Sequence, residues 1–590
     1  MLPCHLYCRG FQLPGLFGTF RRSLTRYDAA LAYAALGIAA GALSGAVVLA
    51  FEHSIQRIGL LWGVGDLGDG FEALSTTTRF LFPVVSAVLL GLAFSLLKPQ
   101  DREVGIVHVI HRLYSNYGML PWRNAVVQFI GGAIALAGGQ SGGREGPGVH
   151  LGAAAGSVAG QMLALPNNSL RVLIACGSAG GIAAAFNTPL AGVIFAMEVI
   201  VSEYTVAGFM PVMLSAVVAS VMSRRFGGGS EILDIDGAYL STLWEIPYIV
   251  LLGIACGVAA AMFIRTSTHA ARYAHWPILL RFTIAGLLTA SLGLAVPEVL
   301  GIGYDTLRLV FLGEVALGLL LVIAGAKIFA TAVSLGMGMP IGLIGPSLLI
   351  GACIGGFAAA ATHVAIPAIA ADSPLYVTIG MAATMGAMFG APLAASLAVI
   401  ELTQSTSVAM PALLAIIAAH LTNTTAFRQR SAHRSVLKQL LNQLPDDPLN
   451  LLLHRTDVDA VLDASVVRID DTVSGPTAKS LSLQVPTWCL VTREDEDLFL
   501  VSGDELVDWL SSSTEEEETE TRAVTESSLR RWSIAVVPEQ ATLRQVLDIL
   551  RMRTVEAVCV YARGERGRRV LRGIVTRERI ERFTLDRLHS

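Results

Sequence analysis

The chain has 590 residues, of which 53% are hydrophobic and only 15% are charged, and its mean hydropathy is +0.60. This composition is too apolar for an ordinary soluble protein and predicts a polytopic membrane protein. The formal net charge of −4 argues against a nucleic-acid partner. The seven cysteines include no CxxC pair, so we predict packing roles for them and neither a disulfide framework nor a metal site.

Residues 1–28 form a short segment with several arginines, and an apolar segment follows from about Ala29. Basic residues beside a first membrane span predict a cytoplasmic N-terminus. The apolar segment is too long and too far from the start for a cleaved signal peptide, so we expect it to remain as an anchor. The predicted membrane region covers 29–425. Several of its apolar runs are shorter than the roughly 20 residues that span a bilayer, or contain Gly and Pro, which predicts broken helices.

The most unusual stretch of this region is Ser141–His150, with the sequence SGGREGPGVH. Ionisable residues at bilayer depth are costly unless they face a cavity or a partner, so Arg144 and Glu145 mark a pathway. Pro147 suits a first helical turn, and the unpaired N–H groups of a helix start can bind an anion. The stretch therefore predicts an anion site that is gated by the carboxylate of Glu145.

The same pattern occurs a second time later in the chain. Gly143-x-x-Gly146-Pro147 recurs as Gly342-x-x-Gly345-Pro346. A further matched pair follows each motif, with Phe186, Pro189-Leu190-Ala191 and Glu198 corresponding to Phe389, Pro392-Leu393-Ala394 and Glu401. Two halves with small-residue breaks at corresponding places indicate a transporter or channel whose site lies where the halves meet. We place the repeats at about 29–223 and 246–425.

The composition changes after the last apolar run. A basic stretch in 426–455 indicates a cytoplasmic linker. From 456 to 590 the pattern predicts a small α/β domain of two similar units, at about 456–510 and 531–585. The acidic segment 511–522 between them is typical of a solvated linker.

These motifs together resemble the CLC family of chloride channels and proton-coupled chloride transporters. The resemblance covers about residues 30–440 and rests on GREGP at 143–147, GLIGP at 342–346 and the paired Phe-x-x-Pro-Leu-Ala segments. It implies an all-α polytopic membrane protein with two inverted-topology repeats and broken helices, followed by the small α/β domain. It also implies a homodimer with one chloride pathway per subunit and a gating glutamate, which is Glu145 here. No cofactor is implied.

The resemblance also assigns the residues that would hold the anion. In the family the anion is bound largely by backbone amides, and the first family motif falls on 103–107, where Val104 replaces a serine that contacts the anion. The family's inner tyrosine aligns with His433, which could attract anions or respond to acid, or be merely structural. The implied anion-binding residues are Val104, Gly105, Arg144, Glu145, Gly146, Leu343, Ile344 and His433. For the Arg144 side chain, a buried structural pair is the alternative.

A second departure from the family concerns protons. Many exchangers of the family carry two consecutive glutamates where this chain has Glu198-Val199. Valine cannot carry a proton, so we favour a passive, glutamate-gated chloride channel, with a chloride/proton antiporter as the alternative. The implied proton pathway would comprise Glu145, Glu198 and the position of Val199, and Glu198 or His433 could supply another route.

The C-terminal region resembles a pair of CBS modules, which often bind adenine nucleotides. Thr576 stands where a phosphate or ribose contact could form, but Arg579 replaces the usual ribose-binding aspartate. We therefore expect at most a weak adenine nucleotide site and favour a structural or gating role for this pair.

Other classes of membrane protein fit less well. An intramembrane metalloprotease would need an HExxH motif, which the sequence lacks. A cation transporter with a CBS tail would need more membrane carboxylates than Glu145, Glu198 and Glu401. Fluoride-selective relatives usually alter the GREGP motif. We predict an integral protein of the bacterial inner membrane that is not an enzyme, with both termini in the cytoplasm.

Overall fold

The computed structural model describes most of the chain. The described residues are 30–64, 70–116, 118–165, 167–202, 204, 206–227, 242, 244–365, 373–441, 453, 456–493, 496–512, 522–539, 541–552, 555–563 and 569–589. The predicted N-terminal segment 1–28, most of the acidic linker and the later part of the linker 426–455 lie outside them.

The membrane region is helical, as its composition predicts. Its helices are α1 Ala30–Leu61, α2 Thr76–Leu96, α3 Gly105–Ser115, α4 Trp122–Ala137, α5 Glu145–Met162, α6 Asn167–Phe186, α7 Pro189–Phe195, α8 Val206–Phe226, α9 Glu245–Ala271, α10 Ile278–Ala295, α11 Tyr304–Phe311, α12 Leu317–Gly336, α13 Ile344–Ala365, α14 Ser373–Phe389, α15 Pro392–Thr403, α16 Ala409–Leu421 and α17 Ala432–Leu441. Helices α7 and α16 continue as π-helical turns at Ala196–Val201 and Thr422–Ala426.

The predicted broken helices are confirmed. Within the described residues nine helices are long and apolar enough to cross a membrane, while α7, α14 and α15 are apolar but shorter. Helices α7 and α15 each begin with a proline, whose fixed φ suits a first helical position and whose missing N–H needs no partner there.

The internal repeat of the sequence reappears in the helices. Helices α5 and α13 begin at the two glycine-rich motifs, and each is followed by a helix of 17 or 20 residues and then by a shorter one that starts at proline. The paired glycines keep neighbouring helices close in both halves, because a Cβ on Gly152 would overlap the carbonyl of Gly177, and a Cβ on Gly351 that of Gly380. Equivalent glycines therefore perform equivalent packing.

The C-terminal region contains two units with the same topology. The first comprises β1 Val466–Asp470, β2 Thr472–Val473, α18 Gly475–Leu483, β3 Trp488–Arg493, β4 Glu496–Ser502 and α19 Gly503–Ser511, and β5 Arg522–Ala523 pairs with β2. The second comprises β6 Ile534–Pro538, α20 Leu543–Met552, β7 Ala557–Arg563, β8 Arg569–Thr576 and α21 Arg577–His589. In each, the first strand runs parallel to the second long strand, which pairs antiparallel with the third.

Amphipathic patterning explains how these units form a core. In α20, Leu543, Val546, Leu547 and Leu550 recur at helical spacing and are all buried. They pack with alternate residues of the second sheet, such as Val558 and Val560. The predicted small α/β region is confirmed as part of the fold class.

The chain divides into two compact units, one that contains the helical membrane region up to Leu444 and one that contains 445–590. Helix α17, which carries His433, forms inside the predicted linker and belongs to the first unit. The sequence did not predict this helix as part of the membrane region.

Candidate functional site

The starts of α5 and α13 meet inside the first unit, and two further helices, α3 and α17, pack nearby. Helix α3 packs against α5 and α17, and α5 also contacts α13. The first residues of these helices are the ones that the sequence singled out: Gly105, Glu145, Ala432 next to His433, and Ile344. Because the N–H groups of a first turn lack partners within their helix, such an arrangement offers positive partial charge to an anion.

The side chain of Glu145 is fully buried within this arrangement. Its Oε2 accepts a hydrogen bond of 3.3 Å from the backbone N–H of Gly345, in the first turn of α13. Its Oε1 accepts a hydrogen bond from the hydroxyl of Tyr304. The carboxylate therefore accepts a hydrogen bond from the first turn of the facing helix α13, where unpaired N–H groups favour negative charge.

The two glycine-rich motifs are joined directly. Gly143 and Gly342 form an antiparallel bridge in which the N–H of Gly143 donates to the carbonyl of Gly342 at 2.8 Å, and the reverse bond is 2.7 Å. There is no room for side chains at this contact, since a Cβ on Gly342 would lie 2.7 Å from the carbonyl oxygen of Gly143. The bridge sets the distance between α5 and α13.

Arg144 precedes Glu145, and its side chain makes structural contacts. The guanidinium lies 3.4 Å from the carboxylate of Glu52 and donates a hydrogen bond of 3.1 Å to the carbonyl of Ala185. It also lies over the ring of Tyr304, 5.6 Å from the ring centroid. Arg144 therefore balances a buried acid and orients the tyrosine that bonds Glu145.

The predicted donor at Gly105 has an internal partner. Gly105 adopts a φ of +76°, which favours glycine, and its N–H donates to Oε1 of Gln128 at 2.7 Å. The amide of Gln128 in turn donates to the carbonyl of Pro340 at 3.1 Å, just before the second motif. Val104 caps α3 without a side-chain hydrogen bond. The N–H of Gly105 is thus already paired with the neutral amide of Gln128, which also links the start of α3 to the backbone before the second motif.

His433 lies in the first turn of α17 and is buried. Its ring packs against Phe389, with the centroids 5.3 Å apart, and its Nδ1 has no hydrogen-bond partner among the described residues. Leu343 and Ile344 are also buried, at the start of α13. The structure therefore brings the predicted residues of both motifs together, with His433 on a neighbouring helix start.

Glu198 and Glu401 occupy equivalent places in the repeats and cap each other's helices. The carboxylate of Glu198 accepts hydrogen bonds from the N–H groups of Leu393 and Ala394, at 3.4 and 2.9 Å. The carboxylate of Glu401 accepts from Leu190 and Ala191, at 3.0 and 2.8 Å. Both acids thus satisfy first-turn donors of the other repeat. Val199, beside Glu198, is buried.

Sequence reasoning missed several residues of the site. Tyr304 and Gln128 have no counterpart in the repeat pattern, and Glu52 lies inside a long apolar helix. One signal was available for Tyr304, which follows two glycines with positive φ at 301 and 303 in a break between apolar segments. Glu52 could have been noticed as an ionisable residue within a predicted span.

In the C-terminal unit a cleft is lined by Trp488, Trp532, Thr576, Glu556, Glu578 and Glu581, among others. The two indole rings are 5.0 Å apart in an edge-to-face contact. Arg579 is held in an ion pair of 2.9 Å with Asp463. The lining also includes Arg577, so three carboxylates and one guanidinium surround Thr576 and leave the cleft net negative.

Comparison with known proteins identifies the family. The family model described as voltage gated chloride channel matches residues 85–424, which is more than half of the chain. The chain belongs to this family. A ClcB-like chloride channel protein of Ralstonia nicotianae is 30% identical over 432 residues, covering 71% of this chain and 98% of that protein. The H(+)/Cl(-) exchange transporter ClcA of Klebsiella pneumoniae is 30% identical over 424 residues, covering 68% of this chain and 87% of that protein.

Solved CLC structures show the same fold. A slow cyanobacterial Cl-/H+ antiporter is 22% identical, with a TM-score of 0.62 over 70% of this chain and 98% of that one. A eukaryotic CLC transporter is 21% identical, with a TM-score of 0.58 over 96% of this chain and 98% of that one. The chain is therefore a CLC-type integral membrane protein for chloride transport.

Proposed function

We propose that this CLC protein moves chloride through a pathway that the carboxylate of Glu145 closes. The observation that carries the proposal is the hydrogen bond from the N–H of Gly345 to Glu145. A carboxylate in that position competes with chloride for donors at the start of α13.

Protonation would open the pathway. A neutral carboxyl group loses its attraction for the helix start and no longer resembles an anion, so it leaves and chloride takes its place. Backbone N–H groups suit this exchange because they attract the ion without a full positive charge, so that it can also leave. The paired Arg144 and Glu52 carry no net charge together and keep the surroundings of the gate from holding chloride too tightly.

Passive conduction is the mode that the sequence favours, since Val199 cannot carry a proton. Proton-coupled exchange is the second candidate. Two observations support it. Several relatives, including that of Klebsiella pneumoniae, are named H(+)/Cl(-) exchange transporters. In addition, a buried histidine of α3, His108, contacts a buried histidine of α5, His150, and α5 is the gate helix that begins at Glu145.

We further propose the assembly and location that the family resemblance implies. The protein would be a homodimer in the bacterial inner membrane with both termini in the cytoplasm. The two C-terminal units would be a CBS pair with a structural or gating role, and the acidic lining of their cleft would exclude tight nucleotide binding.

The gate assignment is tested with purified protein in chloride-loaded liposomes. Chloride efflux from the wild type is expected to rise as the pH falls, because protonation releases Glu145. Glu145→Gln removes the charge and should give efflux that no longer depends on pH. The matched control is Glu314→Gln, at an exposed carboxylate. If Glu145→Gln leaves both the rate and its pH dependence untouched, the gate assignment is wrong.

A further inference from the structure

A pair of buried histidines joins α3 to the gate helix α5. His108 is 2% exposed and His150 is fully buried, and Nδ1 of His108 lies 2.8 Å from Nε2 of His150. His150 stands five residues after Glu145 on the same helix. His150 ends the stretch Ser141–His150 but lies outside GREGP at 143–147. Neither histidine contacts the carboxylate of Glu145 among the described hydrogen bonds.

The neighbours of the pair fix the direction of its hydrogen bonds. Nε of Arg112 donates to Nε2 of His108 at 3.2 Å, so a neutral His108 carries its proton on Nδ1 and donates it to His150. A neutral His150 then carries its own proton on Nδ1. That nitrogen is buried and has no hydrogen-bond partner among the described residues. A merely structural pair would be expected to satisfy this donor, since a buried N–H without a partner is destabilising.

The other end of the pair reaches a carboxylate at the surface. Oε2 of Glu103 lies 3.5 Å from Nε2 of His108 and 3.4 Å from Nδ1 of His111, and the Glu103 side chain is 40% exposed. A continuous line of contacts therefore leads from a solvent-accessible acid, Glu103, through His108 to the buried His150 on the gate helix.

The charges around this line favour transfer over storage of a proton. Arg112 disfavours a resting positive charge on His108, while Glu103 attracts a proton at the entrance. Helix α3 packs against α5, α17 and the π-helical turn after α7. The remaining titratable residues of these elements are Tyr114, Glu145, Glu198, His433, Arg434 and Lys438.

We propose that Glu103, His108 and His150 form a route that carries protons from solvent to the gate helix. The inference rests on the proposed function in its proton-coupled form. It accounts for Val199, because the route bypasses the position where the family resemblance implies an acid. It also leaves Glu198 to cap α15.

Each transfer along the route balances. Glu103 takes a proton from water and passes it to Nε2 of His108 as the hydrogen bond from Arg112 to that nitrogen opens. His108 then releases its Nδ1 proton to Nε2 of His150. His150 then releases its Nδ1 proton to water, which hands it to the Glu145 carboxylate, five residues or about 7.5 Å away along the helix axis. Rotation of the two rings restores the starting tautomers.

The test uses the full chain in liposomes, with chloride efflux and external pH followed together. The wild type should move protons against its chloride gradient. His150→Gln and His108→Gln keep polar groups of similar size but cannot relay a proton, so the ratio of protons to chloride should fall at least tenfold while chloride efflux persists. Glu103→Gln, at the accessible end, should lower the same ratio with the least risk to folding.

The matched control is His420→Gln. His420 is a half-buried histidine of α16 whose Nδ1 also lacks a partner among the described residues, but no described contact joins it to an acid. The ratio of protons to chloride in His420→Gln should equal that of the wild type. An unchanged ratio in His150→Gln and Glu103→Gln, or chloride efflux without proton movement in the wild type, overturns the route. Absence of chloride efflux from the wild type overturns the proposed function itself.

Discussion

Gly143 and Gly342 donate their backbone N–H groups to each other's carbonyls, at 2.8 and 2.7 Å, and so join the first repeat to the second. The bond between Gly345 and Glu145 lies next to this bridge. The carboxylate of Glu145 in one half can therefore reach the helix start of the other half because two glycines allow the backbones to touch.

Gly342→Ala should separate the two motifs. The added methyl group would lie 2.7 Å from the carbonyl oxygen of Gly143 and would also meet the backbone of Gly146. We expect a loss of stability of about 1–3 kcal/mol and a loss of chloride efflux, measured by thermal unfolding in detergent and by liposome assay. Gly325→Ala is the control, since no atom lies within 4 Å of a Cβ at that position of α12. Normal efflux from Gly342→Ala would contradict the role of the bridge.

Tyr304→Phe removes the hydroxyl that donates to Glu145 and keeps the ring that Arg144 covers. A hydrogen bond to a charged group contributes about 1.5–3 kcal/mol, so the closed position of the carboxylate should weaken by about tenfold or more. Chloride efflux at neutral pH is therefore expected to rise. Tyr248→Phe removes a hydroxyl that donates to the carbonyl of Ala358 at 2.8 Å and serves as the control. Equal rates in the two variants would show that Tyr304 does not hold the gate.

Glu198→Ala and Glu401→Ala should have similar effects on stability, because each acid caps one short helix of the opposite repeat. The expected loss is about 1 kcal/mol or more for each, measured by thermal unfolding in detergent. In the proton-coupled form of the proposed function, proton movement coupled to chloride should persist in both variants. If Glu198→Ala alone abolished it, Glu198 would carry protons, as the sequence first suggested.

Asp471 should make the first C-terminal unit sensitive to acid. Burial by itself raises the pKa of this carboxyl, but hydrogen bonds from Arg493 and Thr525 lower it more, so its pKa lies below the ordinary value. A lowered folded-state pKa stabilises the unit above the ordinary carboxyl pKa, and that stability is lost as the pH falls through the folded value. Hydrogen exchange of β1 and β3 should therefore accelerate at strongly acidic pH.

The variant Asp471→Asn should accelerate the same hydrogen exchange at neutral pH. Weakening the hydrogen bonds of this side chain should lower the free energy of local opening by about 1–3 kcal/mol. The exposed neighbour Asp470→Asn is the control. Unchanged exchange in Asp471→Asn would mean that the hydrogen bonds of this carboxylate do not hold the first sheet together.

Much of the architecture follows from local pattern. Apolar runs predict the helices, and the spacing of Gly, Pro and Leu-Ala predicts that two halves share one design. The amphipathic run from Leu543 to Met552 forms the predicted helix α20. The extent of the membrane region did not follow in the same way, because α17 is short and polar on one face and looks like part of a linker.

The sequence by itself determined that this chain is a membrane protein, that it contains a repeat, and which motifs mark its family, because each of these properties resides in the order of neighbouring residues. Only the tertiary structure decided that Tyr304, 159 residues from Glu145, donates a hydrogen bond to that carboxylate. It likewise decided that Gln128 accepts a hydrogen bond from the N–H of Gly105 and that His108 contacts His150. It also decided that Glu198 and Glu401 each cap a helix of the opposite repeat. These contacts depend on the path of the backbone between distant helices, which no local pattern specifies.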